Sequence, residues 1–468
     1  MANITLLEKA LPIAPLKIAA LDSCKELGQK VNDYIVSFRQ NAVEKWPDSA
    51  SIANYRLENY LVDSACPRFG SGEAKGMLRE SIRGTDLFIM VDVCNYSLTY
   101  SVNGHKNHMS PDDHYQDLKR IISAATGKAR RINVIMPFLY ESRQHKRTKR
   151  ESLDCAFALE ELTAMGVSNI ITFDAHDPRV QNAIPLKGFD NFTPPYQFMK
   201  ALLRAEPDLK VDKDHLMIIS PDEGAMHRAV YFSNVLGVDM GMFYKRRDYS
   251  TIVNGKNPIV AHEFLGDDLA GKNAIIIDDM ISSGESMLDV AKQIKERGAN
   301  RVFVCTTFGL FTDGFAKFDD YYEKGYIDRV ITTNLTYLPS ELYEKPYFVM
   351  ADMSKFLALI IDSLNHDITI GSVMNPTDKI HKLLEKHQKD QHYLSKKLVS
   401  TSNILTSFFI VYKTVNNALH FPARFLLLLQ AHSLSPADIL VQSVLGLTQM
   451  PHLRKSHVYH EAKSHLHH

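Results

Sequence analysis

The chain has 468 residues, 54 basic against 54 acidic side chains and 45% hydrophobic content, enough to bury substantial cores in two or three domains, which excludes a disordered protein. Zero formal net charge removes the long-range field with which a general nucleic-acid-coating protein works, so no nucleic-acid partner is expected and any phosphate chemistry must be local. Five cysteines without a CxxC pair, no basic segment leading into an apolar core at the N-terminus, and no apolar run of about 18 residues predict a cytoplasmic chain without disulfide framework, zinc knuckle or membrane span.

Residues 1–57 read as a helical extension, because Leu16, Ile18, Ala19, Leu27, Val31 and Ile35 recur at roughly helical spacing. From about residue 58 short β-branched runs alternate with amphipathic stretches. The runs are 87–93, 132–138, 169–175, 215–222, 273–280, 301–307 and 329–334. Strand–helix alternation predicts an α/β fold of mainly parallel sheet flanked by helices, with the active centre at the carboxyl edge, where several strands end in polar residues. Composition shifts near residue 376. From Thr401 onward only two acidic residues and one glycine occur, and 11 of the 20 histidines fall at or after His381 without regular metal-ligand spacing. Phe408–Val411 and Leu426–Leu429 are candidate packed helices or interface in this tail.

The most informative segment is Asn273–Asn300: an apolar strand 274–277, Asp278-Asp279, a loop from Met280 to Gly284, and a helix ending near Gly298 with Met287, Leu288, Ala291 and Ile294 on one face. Ser282, Ser283 and Ser286, with Gly284 among them, stand where that helix begins. Free backbone N–H groups and the positive end of the helix dipole suit a phosphate monoester there, and the hydroxyls add donors. The two carboxylates would be repelled by the phosphate, but they can accept hydrogen bonds from sugar hydroxyls or hold hydrated Mg²⁺. Alone, an Asp-Asp pair is equally an ordinary helix cap. The string Gly266-x-x-x-x-Gly271-Lys272 is not a Walker A loop, since Asn273 replaces the required Ser/Thr and the string precedes a strand instead of following one.

The string IIIDDMISSGES resembles the phosphoribosyl-pyrophosphate motif of type I phosphoribosyltransferases and of ribose-phosphate pyrophosphokinases. Further strings, Arg68–Glu73, Glu80–Gly84, Ser142-Arg143-Gln144, Phe173–His176, Ser220–Gly224 and Lys245–Arg247, resemble the pyrophosphokinases in order and identity over about 58–375. The resemblance implies two phosphoribosyltransferase-like domains, at 58–208 (ATP) and 209–375 (ribose 5-phosphate), between the helical extension 1–57 and an atypical tail 376–468. It implies transfer of the pyrophosphoryl group of ATP to the 1-hydroxyl of ribose 5-phosphate, with Mg²⁺, in a homo-oligomer such as the family's hexamer.

Residue by residue, the resemblance places ATP on Phe69, Glu73, Arg143 and Gln144, and ribose 5-phosphate on Asp278, Asp279, Ser282, Ser283, Gly284, Glu285 and Ser286. It places Mg²⁺ on His176, Asp222 and Asp174, and catalysis on Lys245 and Arg247. Lys245 and Arg247 share a face if 243–247 is extended, and two converging cations favour an anion between them. The basic run 143–150 is either a solvated loop or a cationic flap over the triphosphate. Ser71, His145 and Ser282 stand where the family usually carries aspartates. These departures keep two alternatives open: a phosphoribosyltransferase that consumes phosphoribosyl pyrophosphate, and a catalytically silent regulatory paralogue.

Overall fold

The computed structural model describes residues 10–46, 52, 54–247, 259–393 and 396, with backbone only at 245–247, 259–262 and 372. In chain order the first half comprises β1 (Leu16–Ala20), α1 (Lys25–Lys45), the short pair β2 (Ser64–Ala65) and β3 (Met77–Leu78), and β4 (Asp86–Met90). The hairpin β5 (Thr99–Val102) and β6 (His105–His108) follows, then α2 (Pro111–Ala125), β7 (Arg131–Ile135), α3 (Asp154–Ala164), β8 (Asn169–Phe173) and β9 (Gly188–Phe192). The second half comprises α4 (Pro195–Ala205), β10 (Leu216–Ser220), α5 (Met226–Leu236), β11 (Asp239–Arg247), β12 (Ile259–Leu265), β13 (Asn273–Ile281) and α6 (Glu285–Glu296). It closes with β14 (Val302–Gly309), α7 (Ala316–Glu323), β15 (Arg329–Thr333), β16 (Phe348–Ala351), α8 (Ser354–Asn365) and α9 (Gly371–Met374).

Two sheets carry the fold. The first runs β1-β4-β7-β8-β9, parallel throughout; the second runs β12-β11-β10-β13-β14-β15-β16, parallel except for the β11–β12 pair. The interior strands are apolar on both faces, as a parallel sheet covered by helices requires: β4 and β10 are buried at every position. Helix starts follow local chemistry. Ser110 Oγ accepts from Asp113 N while the Asp113 carboxylate accepts from Ser110 N, with Pro111 at the first helical position of α2.

Three expectations about domain limits are corrected. Residues 1–57 are not a separate helical extension: Leu16–Ala20 pairs with Asp86–Met90 as β1, and α1 lays Leu27, Val31 and Ile35 into the first core. A Cβ on Gly28 would lie 2.4 Å from the Ala20 side chain, so only glycine lets α1 approach β1 this closely. The limit at 208 fails because α4 packs Phe198, Met199 and Leu202 with Leu216, Ile218 and Ile331 of the second sheet. Conversely α8, from the second half, buries Leu357, Ile360 and Ile361 in the first core. Its Asp362 accepts from buried Arg39 Nε at 2.9 Å, and Asn365 bridges Arg39 Nη2 (2.7 Å) to Asp86 Oδ2 (2.9 Å). A buried ion pair needs this complete set of bonds to offset its desolvation.

The limit at 376 is corrected too. Residues 377–393 are helical, and Ile380, Leu383 and Leu384 join the second core. His381 and His387 donate from Nε2 to the Val235 and Leu209 carbonyls at 3.0 and 2.8 Å, so these two histidines cap backbone oxygens. The candidate segments 408–411 and 426–429 lie outside the described residues. All five cysteines are free, and among the described residues no helix is long and apolar enough to cross a membrane.

Candidate functional site

In the second sheet the chain lays β11 and β12 on one side of β10 and then returns to its other side with β13. That reversal makes the carboxyl ends of β10 and β13 a topological switch point, the place where an open α/β sheet admits a ligand. Residues 220–222 and 278–282 border it. Asp222 Oδ1 accepts from Gly224 N (2.9 Å) and Ala225 N (3.3 Å), tying the turn that leads into α5.

β13 runs further than the sequence pattern predicts. It continues through both aspartates to Ile281, pairing Met280 with Phe308 and Ile281 with Gly309. Asp279 is buried and Asp278 half-buried, and the two carboxyl groups are hydrogen-bonded to each other. The loop shrinks to 282–284, and Gly284 caps α6 at φ 83°. A Cβ there would meet the Phe318 ring at 2.3 Å, so glycine is required on both counts. Ser282 and Ser283 are half-buried, whereas Glu285 and Ser286 face solvent and Glu285 pairs with Lys317 at 3.6 Å.

The first sheet contributes the other wall. His176, just past β8, donates from Nδ1 to Asp279 Oδ2 at 2.7 Å. Arg228 of α5 is buried beneath them, donating Nε to Asp174 Oδ1 at 2.7 Å and Nη2 to the Ala175 carbonyl at 3.4 Å, with Asp279 Oδ2 at 3.8 Å. Thr307 Oγ1 donates to the other Asp174 oxygen at 2.8 Å. Both oxygens of buried Asp174 are thereby engaged, and the geometry makes it the holder of Arg228 instead of an open cation contact. The His145 ring lies 5.4 Å from that of His176, with Nε2 3.5 Å from Asp177 Oδ2 and a buried Nδ1 that has no hydrogen-bond partner.

These contacts separate the two aspartates electrostatically. Burial, reinforced by the Asp279 charge, pushes Asp278 well above the ordinary carboxylate range. Burial would raise Asp279 as well, but the hydrogen bond from His176 and the charge of Arg228 hold it below that range. Asp279 is therefore an internal anion already neutralised by the protein, while Asp278 is the one poised to gain from a cation or a hydroxyl donor.

The remaining predicted residues fall elsewhere. Phe69 is 53% exposed, and the Phe69–Glu73 turn is closed by Phe69 N to Glu73 O (2.7 Å), with Ser71 Oγ donating to the Glu73 carboxylate (2.8 Å). Gln144 Nε2 donates to Ser152 O at 2.7 Å, and Arg143 is exposed at the start of an irregular, exposed loop through 150. No hydrogen bond or ion pair among the described residues joins Phe69 or Glu73 to Arg143 or Gln144. Lys245 and Arg247 are in extended backbone of β11, where the register against β12 slips by one residue between Arg246 and Arg247; their side chains lie outside the described residues. Among the described residues no group of three or more His, Cys, Asp or Glu side chains gathers to hold a metal.

Arg228, Thr307 and Asp177 are members of the centre that sequence reasoning misses. Arg228 did leave a signal. It shares the apolar helix face of Ala225, Ala229 and Phe232, where a cation must have a buried partner. Thr307 left none.

Two linked, mainly parallel sheets with an acidic, imidazole and guanidinium centre at their carboxyl edges define an α/β protein of the open-sheet type. Family models resolve which one: that for the N-terminal domain of ribose phosphate pyrophosphokinase matches residues 16–166, and that for the phosphoribosyl synthetase-associated domain matches 250–374. The chain belongs to the ribose-phosphate pyrophosphokinase family. Curated ribose-phosphate pyrophosphokinases of Vibrio parahaemolyticus and Vibrio cholerae are 26% and 27% identical over 333 and 344 residues, covering 70% and 72% of this chain and 96% and 98% of theirs. The crystal structure of phosphoribosylpyrophosphate synthetase from Mycobacterium smegmatis shares the fold at TM-score 0.58 and 20% identity, across 75% of this chain and 99% of that one.

Proposed function

We propose that the protein is a ribose-phosphate diphosphokinase that transfers the pyrophosphoryl group of ATP to the 1-hydroxyl of ribose 5-phosphate, giving phosphoribosyl pyrophosphate and AMP. The observation that carries this reading is the switch point at the β10–β13 reversal, where the Ser282–Ser286 loop opens α6 beside a half-buried Asp278. In this reading the 5-phosphate lies on the amino end of α6 with Ser282, Ser283, Gly284 and Ser286, and Asp278 accepts from the sugar hydroxyls. Asp279 acts from within: held by His176 and Arg228, it keeps β13 and the first sheet in register around the acceptor.

Mg²⁺ fits the donors present. Asp222 has one carboxylate oxygen outside its backbone bonds, Asp278 is half-buried with a raised pKa, and His176 Nε2 points away from Asp279; few protein ligands suffice where phosphates and water supply the rest. When bound, the ion would neutralise charge on the phosphate oxygens. Lys245, Arg247 and the 143–150 loop then steady the group in transfer and exclude water, and the protein's work is alignment and charge compensation with little covalent help. Exposed Phe69, unconnected to Arg143, supports a homo-oligomer in which the 69–73 turn serves the ATP site of a neighbouring copy.

Incubation with ATP, Mg²⁺ and ribose 5-phosphate tests the proposal. AMP and phosphoribosyl pyrophosphate should accumulate in equal amounts and only when the sugar is present. No AMP under these conditions, or consumption of phosphoribosyl pyrophosphate on adding a nucleobase, would replace the reading with one of its competitors.

A further inference from the structure

Away from the β10–β13 switch point, α4, β16, α8 and the segment 373–379 enclose a cavity of about 620 Å³, a size suited to a nucleotide- or drug-sized molecule. Its body is apolar, lined by Val349, Phe356, Leu359 and Val373. Its rim is cationic. Lys200 and Arg204 lie one turn apart on α4 in the row begun by Tyr196, Lys355 projects from α8, and Lys379 closes the far wall.

Charge is not balanced here. The one acidic residue lining the cavity, Asp352, is exposed and accepts from Ser354 N (2.9 Å) and Asn334 Nδ2 (3.1 Å). None of the four cations forms an ion pair within 4 Å among the described residues; Lys355 lies only over the Tyr34 and Phe38 rings, at 5.9 and 6.0 Å. Lys200 and Lys379 are moreover half-buried, and burial, joined at Lys200 by the charges of Arg204 and Lys355, lowers both amines. Like charges gathered over an apolar cavity are stable only at a cost that an anion would remove.

We propose that this cavity is a second binding site, separate from that switch point, for an organic anion: a phosphate or carboxylate head on Lys200, Arg204 and Lys379, and an aromatic or aliphatic body against Phe356 and Leu359. The site needs both parts of the ligand, since the cations set the head and the apolar wall sets the body.

The full-length protein can be titrated with anilinonaphthalene sulfonate, which carries a fused aromatic body and an anionic head, and with uncharged phenylnaphthylamine, its counterpart without the sulfonate. The sulfonate should bind saturably at one site. Lys200→Glu with Lys379→Glu should weaken it at least tenfold while changing the neutral probe less than twofold. Arg204→Glu, at an exposed position, should weaken it in the same direction if the double variant fails to fold. Competition separates the sources of the anion: displacement by adenosine monophosphate points to nucleotides, and displacement by octyl phosphate to lipid-like phosphates. Unchanged affinity in the charge reversals, equal binding of both probes, or displacement by inorganic phosphate alone at the same concentration would overturn the site. Because the readout is binding and not turnover, its failure leaves the proposed reaction untouched.

Discussion

Arg228→Met tests whether the centre is organised from beneath. Methionine keeps most of the unbranched stem, so packing changes little, but it removes the 2.7 Å bond to Asp174, the 3.4 Å bond to the Ala175 carbonyl and the charge 3.8 Å from Asp279. Asp174 and Asp279 are 5% and 3% exposed; Asp174 would be left buried without its cation and Asp279 with His176 alone. Removing one partner of such a pair costs about 3–5 kcal/mol, or roughly two to three and a half powers of ten in the folding equilibrium. The loss should depend on pH. Burial raises Asp174 even with Arg228 in place and more so without it, while Asp279 loses one of the two groups that hold it below the ordinary range. Their ionised forms become costlier to bury, so the deficit grows as pH rises. Urea unfolding followed by circular dichroism should therefore show the variant much weaker than the parent at pH 8 and closer to it at pH 5.5. Adding Asp174→Asn should recover part of the deficit. A change below about 1 kcal/mol at pH 8, or equal deficits at both pH values, would refute the network as drawn.

Gly284→Ala places a side chain at φ 83° and 2.3 Å from the Phe318 ring, so α6 must shift; calorimetry should show ribose 5-phosphate affinity reduced at least tenfold, with the far-ultraviolet spectrum unchanged. Lys245→Ala should cut turnover about 100-fold or more while ATP affinity in equilibrium binding changes little, since its contact is proposed to strengthen in transfer. Asp92 is buried, which pushes its pKa up from 3.8 to about 7, while it accepts from Cys94 N and Tyr337 N. Native Asp92 thus holds a proton that the unfolded chain releases, so its contribution is full below about pH 4 and is lost as pH rises through 7, on the order of 4 kcal/mol in all. Thermal unfolding should show that decline, and Asp92→Asn should flatten it.

The interior of each sheet was legible in the sequence because a strand covered on both faces must be a continuous apolar run. Hence 87–93, 132–138, 169–175, 215–222, 273–280, 301–307 and 329–334 all correspond to strands, and the chemistry at their polar ends could be placed from the chain order alone. Within the two large sheets the strands that the pattern leaves out altogether, β1, β9, β12 and β16, are the edges. GFDNF of β9 is mixed, since a neighbour on one side only imposes less on its composition, and FVMA of β16 is only four residues long. Asp278, Asp279 and the serine loop could be found by spacing. Which aspartate is buried could not, because it depends on β13 continuing through both, a matter of its pairing with β14.

Linear sequence thus determined the parallel strands, the loop that opens α6 and the family to which they belong, all products of local pattern and residue identity. Tertiary structure alone decided that α4 serves the second sheet and α8 the first. It also decided that residues 376–391 form part of the core and that Arg228 and His176, 54 and 103 residues from their partners Asp174 and Asp279, converge on one centre. Such convergence follows from helices crossing between two cores to bury their apolar faces, an outcome that no window of neighbouring residues contains.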